Sequence, residues 1–421
     1  MYNTRVKHQK RSFVNDKALI STVDIAKDEL MVYIRCPFGE EVKPFNVTNN
    51  YQGLKEYWAM IMLYQKRYHL QDIIVGFEST GIYSEPLKNF MMDKAVKLVQ
   101  INPMHTKKMK DITDNSPGQT DRKDTRVIAD IIQLGHYLSL IVPDGAAAQL
   151  RELAHARENQ MVHQTRLINQ LEALIFKIFP EFVQIIKNLS TKTAQYLMSK
   201  YPTPQRLKGV SLEQLTSEIK MVSRGQLGKD LAQRIYQASR ESLGTKEAQE
   251  SILLEVNYLL GQLIQTAQFI KVLEKKMATA LDQIPYAGNL LSIKGIGVVL
   301  LGGVIGEVGD FRRYRRQSDL VKLAGLDLYE MSSGKYHGWR RISKRGRWFL
   351  RKLLFYGALN TVRTGGILRD YYQGLIGRGM KKIKALIAVS RKLLRIMFAL
   401  VRDNTHYHQK EEQINSIKVP A

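Results

Sequence analysis

Asp121 and Asp124 stand three positions apart in GQTDRKDTRVIADII (residues 118–132), among Arg122, Lys123 and Arg126. On a helix that spacing puts both carboxylates on one face, with Cβ atoms about 5–6 Å apart. Like charges that close repel. Either the neighbouring cations neutralise them as part of a solvated helix start, or a metal ion does. Two further acids bear on the choice. Asp24 stands between Val23 and Ile25 in TVDIAKDEL, and Glu78 follows VGF in DIIVGFEST. An acid in an apolar strand is costly unless it is paired or bound to metal. Four carboxylates at one spot suit oxygen-liganded divalent ions. Two Mg2+ about 3.5–4 Å apart polarise a phosphodiester and activate the attacking oxygen.

The surrounding elements must gather these acids. Residues 19–35 read as a strand, a polar break and a second strand, with a third strand over 44–49. An amphipathic helix follows over 51–70, a buried strand over 72–80, a helix over 84–95 and a strand over 97–102. A basic, polar loop (HTKKMKDITDNSPGQ, 105–119) leads into the helix bearing Asp121 and Asp124. Three leading strands followed by alternating α and β describe a ribonuclease H-like (RuvC-like) α/β domain better than a doubly wound sheet. In such a sheet the first and fourth strands are neighbours and the last helix packs across them. That brings Asp24, Glu78, Asp121 and Asp124 together. Asp28 and Glu29 read as hairpin-turn residues, Asp130 as a surface charge off that face, and Asp111 and Asp114 as loop acids. Lys27 either approaches a phosphate near Asp24 or offsets its charge.

Composition narrows the partner. The 421 residues carry 64 Lys and Arg against 39 Asp and Glu, a net charge of +25, on a chain long enough for two or three domains. Such an excess points to a polyanion, nucleic acid first and an anionic membrane surface second. No apolar run reaches the roughly 20 residues that span a bilayer; GIGVVLLGGVIG (295–306) is too short and too rich in glycine. The basic start MYNTRVKHQKRSF has no apolar stretch behind it, which argues against a secretory signal. The single cysteine, Cys36, excludes an intramolecular disulfide and a multi-cysteine metal site. The expectation is a cytoplasmic, nucleic-acid-facing protein with no membrane partner.

Beyond Pro143 the pattern turns helical. Residues 146–179 form one long helical pattern in which Ile168, Leu171, Ile175 and Ile178 step by three, four and three. A broken, Lys-rich helical region continues to about 245. Val256, Leu259, Leu263, Ile270, Leu273 and Met277 then fit a heptad seam, with Thr266 as its polar member. This reads as an antiparallel helical arm, or as an ordinary helical domain. From 284, LLSIKGIGVVLLGGVIGEVGDF places a Gly-Ile-Gly turn between a short helix and a second one. That is a helix-hairpin-helix pattern able to hold a phosphate backbone, although tight helix packing explains the glycines equally. Arg312, Arg313, Arg315 and Arg316 follow, then GWRRISKRGRWFLRK (338–352), with Tyr314, Trp339 and Trp348 interleaved. Cations and aromatics so mixed suit a phosphate-tracking, base-stacking surface. Lys294, Lys335, Arg340, Arg341, Arg345 and Arg347 complete the candidate contacts. A basic amphipathic helix over 378–398 reads as packing. The expected division is 1–145, 146–280, 281–370 and a basic helical tail, 371–421.

VDIAKDEL, VGFESTGIY, TDRKDTRVIADI, SIKGIGVVLLGGVIGEVGDF, LVKLAGL and SSGKYHGWRRISKRGRWFLRKLLFYGAL follow one another along most of the chain. Together they resemble the DEDD transposases of bacterial insertion sequences, whose RuvC-like N-terminal domain precedes a helical arm and a second transposase domain. The resemblance implies that Asp24, Glu78, Asp121 and Asp124 are the metal-binding catalytic acids, with Mg2+ as cofactor. It also implies a serine nucleophile just before a glycine after the AGL segment. Here that is Ser333, in EMSSGK, with Ser332 as an adjacent contender. LAGLDLYEMSSG lacks the proline common after AGL, and Lys335 stands where a second glycine often follows, which leaves the choice of serine open. Read without the resemblance, Ser-Ser-Gly is a turn, although cations beside a serine suit attack on a phosphate. The resemblance further implies a recombinase that forms a phosphoserine-linked DNA intermediate. Such enzymes act as a homodimer or homotetramer with sites shared between subunits, and in some members a non-coding RNA guides them. Two other readings compete: a structure-specific nuclease resembling a Holliday-junction resolvase, with water as nucleophile, and a binding protein whose acids are structural.

Overall fold

Nearly all of ALISTVDI (β1, Ala18–Ile25) is buried on both faces, as its apolar and β-branched composition allows for a strand between two helix layers. This computed structural model describes residues 14–78, 81–113, 121–139, 143–330, 338 and 340–407, and the chain divides into two compact units, Met1–Ile141 and Val142–Ala421. In the first unit β2 (Glu29–Arg35) and β3 (Glu41–Thr48) follow β1 as an antiparallel meander. β4 (Asp72–Glu78) lies parallel to β1 on its other side, and β5 (Lys97–Ile101) parallel to β4. A two-residue β6 (Leu138–Ser139), too short to carry any periodicity, pairs antiparallel with β5. The order β3-β2-β1-β4-β5-β6 is compatible with the ribonuclease H-like expectation.

Helices cover both faces. α1 (Tyr51–Arg67) starts at Asn50, whose side chain accepts the Gly53 N–H. With α2 (Glu85–Met92) it packs Leu54, Tyr57, Ile61, Leu87 and Met91 against Leu19, Val23 and Phe77. The segment expected as a loop is in part α3 (Pro103–Thr113), which corrects the sequence reading. Asn102 caps it by accepting the Met104 N–H at 2.9 Å, and Pro103 takes the first helical position, where its missing N–H costs nothing. Its surface is so cationic that the apolar period marking a helix is faint. On the same side α4 (Asp121–Gln133) lays Val127, Ile128, Ile131 and Ile132 against Ala18, Ile20, Ile74 and Val99.

In the second unit α5 (Gly145–Ile178) runs until Pro180 ends it. Five shorter helices follow: α6 (Pro180–Ile185), α7 (Lys192–Lys200), α8 (Pro204–Lys208), α9 (Leu212–Ser223) and α10 (Lys229–Arg240). They share a core with the C-terminal half of α5 and with α11 (Gln249–Leu281), which returns antiparallel along α5. Every seam residue anticipated on α11, from Val256 to Met277 and including Thr266, is buried. A second core joins the N-terminal end of α5 and the C-terminal end of α11 to α12 (Ala287–Leu291), α13 (Val298–Val308) and α14 (Gln317–Leu323). The hairpin β7 (Leu328–Tyr329) and β8 (Arg341–Ile342) leads to α15 (Trp348–Thr364), α16 (Ile367–Gly377) and α17 (Lys382–Asp403). α17 puts Val389, Leu393, Leu394, Met397 and Val401 into that second core, so it packs as its apolar stripe suggests. No helix among the described residues is long and apolar enough to cross a membrane.

Candidate active site

Side chains alternate along a strand, and the even-numbered residues of β1 and β4 face α4. Ile20 and Ile74 lie in its core, and the Thr22 hydroxyl donates to the Thr125 carbonyl of α4 at 2.7 Å. Gly76 is the closest approach: a Cβ there would stand 2.2 Å from Ile132 Cδ1. Asp24 and Glu78 continue these two rows, one step beyond the paired Val23 and Phe77 on parallel neighbours. Both acids therefore emerge at the same end of the sheet. Asn49 braces that end, its amide donating to the Ala26 and Tyr83 carbonyls at 3.0 Å each.

Asp124, half-buried on α4, joins them. Burial pushes the Glu78 carboxyl above the usual glutamate range, and the charges of Asp24 and Asp124 push it further. Lys110 and the Thr106 hydroxyl on α3 act the other way. Lys110 Nζ lies 2.5 Å from Asp124 Oδ1. Three of the four anticipated acids thus face one another, and a cation already sits among them. Asp121 opens α4 one turn before Asp124; its side chain lies outside the described residues, as do Ser332, Ser333, Lys335, His337 and Trp339. Among the described residues no three His, Cys, Asp or Glu side chains are gathered closely enough to hold a metal ion. The donor set itself is all oxygen and mutually repulsive, which fits a hard divalent cation.

Other acids separate from this group. Asp130, expected as a surface charge, is half-buried and pairs with Arg35 of β2 at 2.6 Å. Asp28 lies in the β1–β2 turn, where its carbonyl accepts the Asn49 N–H. Thr106, Lys110 and Asn49 escaped sequence reasoning. The Asn102–Pro103 helix start was the available signal for the first two.

The basic residues of the second unit differ in their freedom. Lys294, Arg315, Arg316, Arg341 and Arg345 are exposed. Arg312 pairs with Asp310 at 2.9 Å, Arg340 with Glu330 at 2.7 Å, and Arg313 with Asp144. Arg347 is half-buried, donates to the Glu307 carbonyl, and has its pKa lowered by burial. Its guanidinium is turned towards the interior rather than the solvent. Glu307 is itself buried on α13, 2.8 Å from His155 Nε2 and 3.8 Å from Arg151 Nε. Burial alone would raise its carboxyl, but His155, Arg347 and Arg151 hold it below the usual range. Tyr314 is likewise turned inward, its hydroxyl donating to the Val308 carbonyl at 2.8 Å, whereas Trp348 is exposed. The two glycines of the Gly-Ile-Gly turn also divide. Gly295 (φ +92°) has backbone of α15 at 3.0 Å from its missing Cβ, so packing demands it, while Gly297 faces open space.

Two family models match the chain. One, for IS110-type DEDD transposases, covers residues 22–180; the other, described as the transposase IS116/IS110/IS902 family, covers residues 287–373. The chain is 27% identical over 293 residues to the 44.8 kDa protein of insertion element IS116 from Streptomyces clavuligerus, spanning 68% of this chain and 72% of that one. It is 26% identical over 308 residues to the 43.6 kDa protein of insertion element IS110 from Streptomyces coelicolor, spanning 72% and 76%. Similarity to the transposase for insertion sequence element IS1111A of Coxiella burnetii is 27% over 186 residues, 42% and 50% of the two chains. The first model takes in the sheet and its acids and the second the glycine turn and the arginines that follow, so the chain belongs to the IS110 family of DEDD transposases and is a DNA transposase.

Proposed function

We propose that this transposase cleaves and exchanges DNA strands with Mg2+ held by Asp24, Glu78, Asp121 and Asp124 and with Ser333 as nucleophile, guided by a non-coding RNA of its element. The observation that carries the reading is the convergence of Asp24, Glu78 and Asp124 at one end of the sheet, where burial and the two neighbouring carboxylates push the Glu78 carboxyl up. A divalent ion there would relieve that repulsion. When bound it supplies charge that polarises a phosphodiester. The chain's own residues build the place: Thr22 and Gly76 seat α4 on the sheet, Lys110 orients Asp124, and Asn49 ties down the two strand ends.

In this reading residues 1–145 are the catalytic domain, 146–280 the arm, 281–370 the serine-bearing domain with a helix-hairpin-helix, and 371–421 a basic tail. The exposed Lys294, Arg315, Arg316, Arg341 and Arg345 support phosphate tracking, and Gly297, with open space before it, follows Lys294 by three residues. Arg312, Arg313 and Arg340 join them by exchanging carboxylates for phosphates, and Lys335 lies next to the nucleophile in sequence. The carboxylates of one subunit and the serine of another complete shared sites in a homodimer or homotetramer, in the cytoplasm. A net charge of +25 accommodates both DNA and RNA.

A structure-specific nuclease would use the same acids with water in place of serine. The two readings separate on a denaturing gel after incubation with the element's junction DNA, with and without co-expressed RNA. Ser333→Ala should abolish a covalent protein–DNA adduct and strand exchange while preserving folding and RNA binding, and Ser332→Ala should retain most activity. Mixing Ser333→Ala with Asp124→Ala subunits should restore activity if sites are shared. Equal cleavage by Ser333→Ala and wild type, with no adduct from either, establishes the nuclease.

A further inference from the structure

Two open hollows flank one ridge of α15. The first, of about 650 Å³, lies between α5, the start of α13 and α15, with Val162, Val298 and Leu353 in its walls. The second, of about 380 Å³, lies between α15, α17 and the root of the β7–β8 hairpin, where Leu326 and Ile342 line it. Both are of the size that ligand clefts have, about 300–1,000 Å³. Lys352 and Tyr356 belong to both linings and so form the wall between them. Trp348, Lys352 and Tyr356 stand four apart and are therefore neighbours along one side of the helix, about 12 Å from first to last. Trp348 is 57% and Tyr356 47% exposed. α15 already buries Phe349, Leu350, Leu354 and Ala358, so it does not need these two rings in order to pack. Large aromatic faces left in water beside apolar hollows mark a place where something docks.

The chemistry around the rings indicates what docks. Arg351 lines the second hollow, and its guanidinium donates to the Ala324 carbonyl at 3.0 Å and the Lys344 carbonyl at 3.4 Å. Carbonyls hold it without cancelling its charge, and burial alone lowers its pKa. Arg341 and Arg345, on and just after β8, are exposed. Glu158, in the wall of the first hollow, is engaged by Lys352, and Arg157 by Glu274 at 2.8 Å, so the acids there are already neutralised. The occupant should thus carry a flat face for the rings and negative charge for the arginines. A nucleotide has both. A duplex keeps its base faces inside the stack, so only unpaired nucleotides can use the rings. The second hollow also sits at the root of the hairpin that carries Ser333 between its strands. Strand exchange at that serine frees nucleotides from the duplex on this side of the unit.

We propose that Trp348 and Tyr356 of α15 are stacking sites for unpaired DNA bases, with a hollow on either side of Tyr356 to receive a base and Arg351 towards the backbone phosphates. The inference rests on the strand exchange proposed above and names where the freed strand lies. Neither the metal ion nor the identity of the nucleophile enters its test.

The full chain is titrated into a fluorescein-labelled oligothymidylate and, separately, into its duplex with oligodeoxyadenylate, in EDTA so that no cleavage intervenes. Trp348→Ala and Tyr356→Ala should each weaken oligothymidylate binding about tenfold, the size of one lost base stack, and leave duplex binding nearly unchanged. Their circular dichroism melts should match wild type, because both side chains are exposed. Tyr356→Phe keeps the ring and should bind as wild type, and so should Ser333→Ala. An oligonucleotide carrying 5-iododeoxyuridine, irradiated in the complex, should cross-link to Trp348 or Tyr356. Oligothymidylate binding indifferent to both alanine changes, with duplex binding intact, overturns this site alone. Equal losses for single strand and duplex overturn it too, since the rings would then not be reading unpaired bases. Wild type that binds neither form overturns the basic DNA surface as well. A loss confined to oligouridylate gives the ridge to RNA, and a loss of self-association with DNA binding intact gives it to a protein; either overturns the proposal.

Discussion

The Lys110 ammonium lies 2.5 Å from Asp124 Oδ1 and also opposes the rise of the Glu78 carboxyl. A lysine so placed supplies positive charge where a divalent ion would, and the two compete. Lys110→Met should therefore enlarge the stabilisation that Mg2+ confers, since an ion that binds only the folded state stabilises by RT ln(1 + [L]/Kd). Thermal melts with and without Mg2+ measure this. An equal Mg2+ shift in wild type and Lys110→Met would separate the lysine from any metal position.

Removing an acid should cost chemistry and leave binding intact. Asp24→Ala, Glu78→Ala, Asp121→Ala and Asp124→Ala are each expected to lower strand cleavage by at least about a hundredfold, with nucleic-acid affinity retained because the basic surface is untouched. Asp130→Ala should keep cleaving, having lost only its pairing with Arg35. Full activity in any of the four removes that residue from the site.

The raised Glu78 carboxyl makes the metal-free protein sensitive to pH. A carboxyl that holds its proton more tightly folded than unfolded lowers stability as pH climbs from the ordinary glutamate range through its elevated folded value. Glu78→Gln should accordingly raise the Tm of the metal-free protein at neutral pH and leave it nearly unchanged at low pH. Chemical denaturation across pH tests the sign. A Glu78→Gln protein less stable at neutral pH would show that the carboxylate is stabilised in the fold.

Glu307 has the opposite sign. Its carboxyl is held low by His155, Arg347 and Arg151 against the pull of burial, so its contribution is present above the unfolded glutamate pKa and fades as pH falls through the folded value. Glu307→Gln should cost about 3 kcal/mol at neutral pH, the expense of taking its anion away from the half-buried Arg347 guanidinium. It should also flatten the acid limb of the stability profile. Urea titrations at neutral and acid pH give both quantities.

Salt dependence should sort the arginines. Arg315→Ala with Arg316→Ala should lower the slope of log affinity against log salt by about two, because each lost phosphate contact releases about one counterion fewer. Arg347→Met should leave the slope unchanged and lower the Tm, since its guanidinium faces Glu307. A slope unaffected by the Arg315 and Arg316 changes would place the DNA surface elsewhere.

Local pattern made much of this protein legible in the chain itself. β1 and β4 show as apolar, β-branched runs that end in an acid, and the α11 seam shows as a strict heptad that is buried throughout. Such signals survive because each residue reports its own burial at a fixed period. The gathering of Asp24, Glu78 and Asp124 needed one further rule, that the first and fourth strands are neighbours, and the strand order bears that adjacency out. What only the tertiary structure decided depends on partners distant in sequence. Residues Pro103–Thr113 are helical because Asn102 and Pro103 start the helix, and only its position against α4 puts Lys110 on Asp124. The sequence offers Arg312, Arg315 and Arg347 as equals, yet folding ties one to Asp310, leaves one in water and turns one inward to Glu307. Charge and spacing reveal which residues can hold an anion. Which of them remain free to do so is set by the neighbours each side chain meets in the fold.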